Sequence, residues 1–110
     1  MSLYAEYITE RTADKIIEAE DGFVTYRFLN DGKTVYVIDV YVVPKSRGSG
    51  RASQLVNMVA DIAKESGAIE MLGTVVPSAN GSTISLKGLL AFGMKLQSSS
   101  NDLIIFRKDL

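Results

Sequence analysis

The sequence has no cysteine and no histidine. Without cysteine there is no disulfide, no thiolate nucleophile and no sulfur-ligated metal, a pattern that fits a reducing compartment. Without histidine, imidazole-bound zinc, a Ser-His nucleophile pair and a histidine general base are all excluded within this chain. An excess of basic charge is missing too. The formal net charge is -1, so no global positive field attracts nucleic acid or an acidic membrane surface. The opening Met-Ser-Leu-Tyr-Ala-Glu lacks a basic stretch followed by an apolar run, so no secretion signal is expected. No apolar stretch approaches the ~20 residues that a membrane helix needs, which makes the cytoplasm the default location.

What is present fits one globular domain over residues 1–110, with hydrophobic residues at 46% and charged residues at 23%. Leu3, Tyr4, Tyr7 and Ile8 fall on one stripe of a short helix from Ser2 to Arg11, capped by Ser2 and expected to pack into the core. Lys15 to Ala19 reads as a strand, closed by Asp21-Gly22 as a hairpin turn. Phe23 to Leu29 is a second strand, and Asn30-Asp31-Gly32 turns the chain again. Thr34 to Val43 is the strongest strand, apolar on both faces apart from Asp39, as expected of a central strand covered on both sides.

Pro44 to Gly50 breaks that strand. From Ala52 to Glu65 apolar residues recur at helical spacing, with Ala52, Leu55, Val56, Val59, Ile62 and Ala63 facing inward and Gly67 ending the helix. Ile69 to Val76 is a strand stopped by Pro77. Ser82 caps an expected helix to about Phe92, with Ile84, Leu86, Leu89 and Leu90 inward and Gly93 at its end. Met94 to Gln97 and Leu103 to Arg107 close the chain around a turn at Ser98 to Asp102. The order predicts an α/β fold with a mixed, mostly antiparallel sheet flanked by helices.

The segment with most chemical content is Pro44-Lys45-Ser46-Arg47-Gly48-Ser49-Gly50-Arg51-Ala52. Glycine lets a backbone approach a ligand and turn its amides outward. The helix that follows adds the positive end of its dipole and unpaired amide donors. Lys45, Arg47 and Arg51 cluster there although the whole chain is slightly acidic, and phosphate is the natural ligand. The bland alternative is a solvated turn with incidental basic residues. Gly50-Arg51-Ala52 is not the Gly-Lys-Ser/Thr of a Walker loop, and the glycine spacing is not that of a dinucleotide fingerprint.

These residues resemble the phosphate loop of the GNAT acetyltransferase superfamily, Arg/Gln-x-x-Gly-x-Gly/Ala, which Arg47, Gly50 and Ala52 satisfy. Tyr36 to Pro44 looks like the central strand of that superfamily's spermidine/spermine branch, and Leu89-Leu90-Ala91-Phe92-Gly93-Met94 resembles its helix ending in Gly-Phe. The resemblance implies acetyl-CoA as cosubstrate. By the match, Arg47, Gly48, Ser49, Gly50, Arg51 and Ala52 would hold its pyrophosphate, with Val40 and Val42 along the pantetheine arm. It also implies an amine acceptor. The chain departs from the pattern in three places. Ile38-Asp39 lacks the glutamate that family members use as base, and Leu89 stands where a tyrosine often acts as acid. The usual first strand and two helices shrink to the segment before Lys15. Ser82, or Asn80 nearby, aligns with an asparagine that often opens the last helix.

Asp39, the one charge in the central strand, is the candidate base; it could equally be ion-paired, for instance with Arg27, or exposed by a strand irregularity. Tyr36 and Tyr41 could donate a proton, although tyrosines on a strand face are more often core. Glu70 reads as an ordinary strand-end charge. Three readings follow: an N-acetyltransferase acting on a primary amine of a small molecule or a protein lysine, a coenzyme A binder without turnover, and a structural or interaction module. The short N-terminal region predicts an open acceptor side, completed by a macromolecular substrate or by a second subunit as a homodimer. Neither nucleic acid nor a membrane is an expected partner.

Overall fold

The computed structural model describes residues 2–78, 88–90 and 92–110. Helix α1 is Leu3–Arg11, and the Ser2 hydroxyl accepts the Ala5 N–H at 3.1 Å, satisfying one donor that a helix start leaves open. The same hydroxyl donates to Glu18 at 2.8 Å, tying α1 to strand β1, Lys15–Ala19. The expected burial of the stripe is corrected by the structure. Leu3 is 85% exposed, Tyr4 and Tyr7 are also exposed, and Ala5 is the buried residue of the helix. The helix rests on the β1 border of the sheet, with Tyr4 reaching the Phe23 ring at 5.5 Å, so its wider apolar face meets solvent.

Strand β2 is Gly22–Leu29, antiparallel to β1 with Ala19 opposite Gly22. The turn is therefore Glu20-Asp21, one residue earlier than the expected Asp21-Gly22. Gly22 is needed for close approach instead, since a Cβ there would run into the Tyr41 carbonyl. Asn30, Asp31 and Gly32 turn the chain with φ of 53°, 56° and 84°, the left-handed region these residue types tolerate best. Strand β3, Thr34–Val42, then pairs back along β2.

Helix α2, Arg51–Glu65, crosses over one face and delivers β4, Glu70–Val75, parallel to β3. It buries Leu55, Val56, Val59, Ala60 and Ala63. Ala52 and Ile62, expected inward, are exposed, and Ala60 lies inward in their place, because the contact line winds toward i+4 neighbours. Gly67, at φ 97°, closes the helix: the Ala68 N–H reaches the Ala63 carbonyl at 2.9 Å and the Gly67 N–H the Lys64 carbonyl at 3.1 Å.

Residues 88–90 are helical. Leu89 packs against the core as expected, but Leu90 is exposed. Gly93 ends the segment at φ 95°. Asn80, Ser82, Ile84 and Leu86 lie outside the described residues. Strands β5, Lys95–Ser100, and β6, Leu103–Asp109, form the last hairpin. Ser98 to Ser100 pair with β6, so the turn narrows to Asn101-Asp102.

The six strands form one mixed sheet in the order β1-β2-β3-β4-β6-β5, flanked by helices, in agreement with the expected fold class. Among the described residues β3 and β4 are the one parallel pair. The core lies under α2, where Val24, Val35, Val37, Val42 and Met71 of the sheet meet Leu55, Val59 and Ala63.

Candidate functional site

Strands β3 and β4 pair over Thr34 to Val37 and Glu70 to Gly73, and then separate. A bulge in β3 marks the place. Thr25 lies opposite Asp39 and Tyr26 opposite Val37, which leaves Ile38 as the extra residue. The Asp39 N–H bonds the Thr25 hydroxyl at 3.1 Å. Beyond Val37 the β4-facing border of β3 has no strand partner among the described residues, and a cleft of about 380 Å³ opens along it.

Four groups of residues wall this cleft. Val37, Ile38, Asp39, Val40 and Val42 come from β3, and Gly73 and Thr74 from β4. Arg47, Ala52, Ser53 and Val56 come from the loop and first turns of α2, while Gly88, Leu89 and Phe92 supply the far side. Gly73 keeps the fork clear: a Cβ on it would lie 3.2 Å from Leu89 Cδ2. Its position inside a strand was the sequence signal for a close approach. Thr74, Ser53, Val56 and Phe92 carried no such signal.

At the mouth of the cleft, Pro44–Ser46 forms a single 3-10 turn. Gly48 and Gly50 adopt φ of 83° and 87°, and the loop from Arg47 to Gly50 is exposed. The Gln54 N–H makes the first intrahelical bond, to the Gly50 carbonyl at 3.1 Å. The N–H groups of Gly48, Gly50, Arg51, Ala52 and Ser53 have no acceptor among the described residues. Five amides without acceptors thus cluster near the positive end of α2, an arrangement suited to an anion.

The cations divide. Lys45 has no ion-pair partner among the described residues. Arg47 Nε donates to the Val42 carbonyl at 3.0 Å and its guanidinium lies 5.8 Å from the Tyr41 ring, which holds the side chain against the cleft. The Arg51 guanidinium turns away from the loop to Asp21 at 2.8 Å and Gln54 at 2.9 Å, leaving its backbone N–H on the anion side.

Asp39 is exposed at the bulge, the second of the alternatives open to it. Arg27 is not its partner, because Arg27 Nε binds Asp14 at 2.5 Å, and that hydrogen bond raises the Arg27 pKa above its ordinary value. Val40 is exposed and Val42 buried, and both line the cleft. Tyr41 alternates to the opposite face of β3, beside Phe23 with ring centroids 5.8 Å apart, so it stands outside the cleft lining. Tyr36 is half-buried on that opposite face and shares a 3.0 Å hydrogen bond with Thr74 across the last turn of the ladder. Glu70 is more engaged than an ordinary strand-end charge, accepting from Thr34 at 2.9 Å and binding Arg107 at 2.7 Å. A second hollow, of about 350 Å³ between β5 and β6, has Arg107 and Lys108 in its wall. Arg107 is committed to Glu70 and Asp109, and Lys108 to the Phe92 carbonyl, so the cleft is the better candidate.

The model of the acetyltransferase (GNAT) family matches residues 9–86. This chain belongs to the GNAT acetyltransferase family. Its fold recurs in a GNAT-family protein of Desulfovibrio desulfuricans at TM-score 0.78 and 15% identity, covering 94% of this chain and 75% of the other. The PaiA N-acetyltransferase of Thermoplasma acidophilum, solved in complex with coenzyme A, matches at TM-score 0.77 and 14% identity over 93% of this chain. The GNAT chain spans 64% of that protein, less than two thirds of its length. A GNAT family acetyltransferase of Elizabethkingia anophelis with acetyl-CoA bound matches at TM-score 0.73 and 16% identity, covering 98% and 82% of the two chains. No helix among the described residues is long and apolar enough to cross a membrane.

Proposed function

We propose that this GNAT domain binds acetyl-CoA and transfers its acetyl group to a primary amine. The observation that carries the reading is the set of N–H groups at Gly48, Gly50, Arg51, Ala52 and Ser53 that have no acceptor among the described residues, clustered where α2 begins. A diphosphate is an anion of the right size and charge for that set, with Arg47 and Ser49 beside it. The neighbours solved with coenzyme A and acetyl-CoA support the same assignment. The unpaired border of β3 offers backbone groups to an extended amide-bearing arm, with Val40 and Val42 as its apolar floor.

The acetyl donor brings a thioester, whose carbonyl is open to attack by a neutral amine. What this chain supplies is orientation and a place for protons. Asp39 stands at the fork as an exposed carboxylate and accepts a proton from the incoming ammonium. Tyr41 shares its face, together with Phe23 and Tyr4, and these rings form the wall on the acceptor side. Among the described residues α1 borders that side, which leaves room for a bulky acceptor or a second copy of the chain.

The competing reading, a coenzyme A binder without turnover, draws on Leu89, a hydrocarbon in the cleft wall that cannot return a proton to a leaving thiolate. Two measurements separate the possibilities. Coenzyme A at ~100 times its dissociation constant should add about 2.7 kcal/mol of stability in a thermal shift. No shift, or one matched by plain sulfate, defeats the coenzyme assignment. Thiol release from acetyl-CoA across a panel of amines then decides for transferase or silent binder.

A further inference from the structure

The loop from Val43 to Arg51 is fastened at both ends by one residue outside it. The Val43 N–H donates to the backbone carbonyl of Asp21 at 2.8 Å. The Asp21 carboxylate holds Arg51 Nε at 2.8 Å, with the two side chains 21% and 39% exposed. Asp21 Oδ1 and Arg51 Nε are themselves buried, and neither has a well-aligned hydrogen bond among the described residues, so the ion pair between them compensates each. Gly22 lets the β1–β2 turn come this close, because no side chain fits beside the Tyr41 carbonyl.

We infer that Asp21 is a positioning residue for the anion loop, acting through Arg51, and that the Arg51 guanidinium serves this fastening rather than the diphosphate. The inference rests on the loop being the coenzyme site. Closing a flexible segment onto a fixed point beforehand removes an ordering cost that the ligand would otherwise bear. Asp21 fixes the entry of the loop by its carbonyl and the exit by its carboxylate. The five free amides are then held in one arrangement before any anion arrives.

A double-mutant cycle on coenzyme A binding, measured by calorimetry, tests this. Asp21→Asn and Arg51→Met should each weaken binding by about three- to fivefold, the scale of a partly exposed ion pair. The double variant should be no worse than either single one. If Arg51→Met weakens binding while Asp21→Asn leaves it unchanged or tightens it, Arg51 grips the diphosphate itself and the inference is overturned. Additive losses overturn it as well. Should Asp21→Asn fail to fold, Asp21→Ser replaces it in the same cycle: non-additive losses with Arg51→Met support the fastening, and additive losses overturn it. Absence of binding in the unmodified protein defeats the coenzyme assignment instead, so the two failures are distinguishable.

Discussion

Val37 and Gly73 are the last partners of the parallel ladder between β3 and β4, and the cleft begins where they part. Gly73→Val places methyl groups in that opening, where even a Cβ would lie 3.2 Å from Leu89 and 3.4 Å from Met94. The expected result is a loss of coenzyme A affinity, together with a stability cost of about 1–3 kcal/mol from overpacking. Calorimetric titration and urea unfolding read the two effects separately. Wild-type affinity in this variant would mean that the ligand does not pass through the fork.

A Cβ on Gly50 would meet nothing within 4 Å among the described residues. Its φ of 87° is the constraint, since a β-branched residue pays roughly 1–3 kcal/mol to hold such a backbone. Gly50→Val is expected to rearrange the loop and abolish coenzyme A binding while the far-ultraviolet circular dichroism stays that of the parent. A variant that still binds normally speaks against the loop amides as the anion site.

Asp39→Asn removes a proton acceptor without changing the volume of the site. Coenzyme A affinity is expected to persist, and thiol release to fall on the order of 10²-fold, the usual scale for a positioned acid or base. A rate equal to that of the parent eliminates Asp39 from the chemistry.

Leu55 sits 1% exposed between α2 and the sheet, four residues into the helix that carries the loop. Leu55→Ala is expected to cost about 2–5 kcal/mol in chemical denaturation. A change below 1 kcal/mol would require the core under α2 to collapse around the cavity.

The sequence made most of the elements legible because their signals are local. β1 begins and ends where its composition does, Gly67 sits in the left-handed position that stops α2, and the loop glycines, named for the freedom of their backbone, adopt positive φ. What stayed hidden depends on partners distant along the chain. Leu3, Tyr4 and Tyr7 form a proper helical stripe, yet periodicity cannot say that α1 meets only the border of the sheet. Thr34 to Val43 reads as one strand in which Asp39 alone hints at an irregularity, and nothing in it announces the departure of β4. Arg51 was legible as a cation beside glycines, but its engagement with Asp21 depends on a turn thirty positions earlier. Among the walls of the cleft, Asp39, Val40, Val42, Arg47 and Ala52 are named from the sequence, whereas Gly73, Thr74 and Ser53 emerge only once β4 and α2 are placed beside β3.

The short parallel ladder also has a mechanical meaning. Among the described residues, the backbone ladder between the β1–β3 half of the sheet and the β4–β6 half is four paired positions long. A molecule lodged between the diverging strands acts as a crossbeam over this narrow joint. Amide exchange should therefore slow most along Thr34 to Val37 and Glu70 to Gly73 when ligand is bound, even though of those residues only Val37 and Gly73 line the cleft.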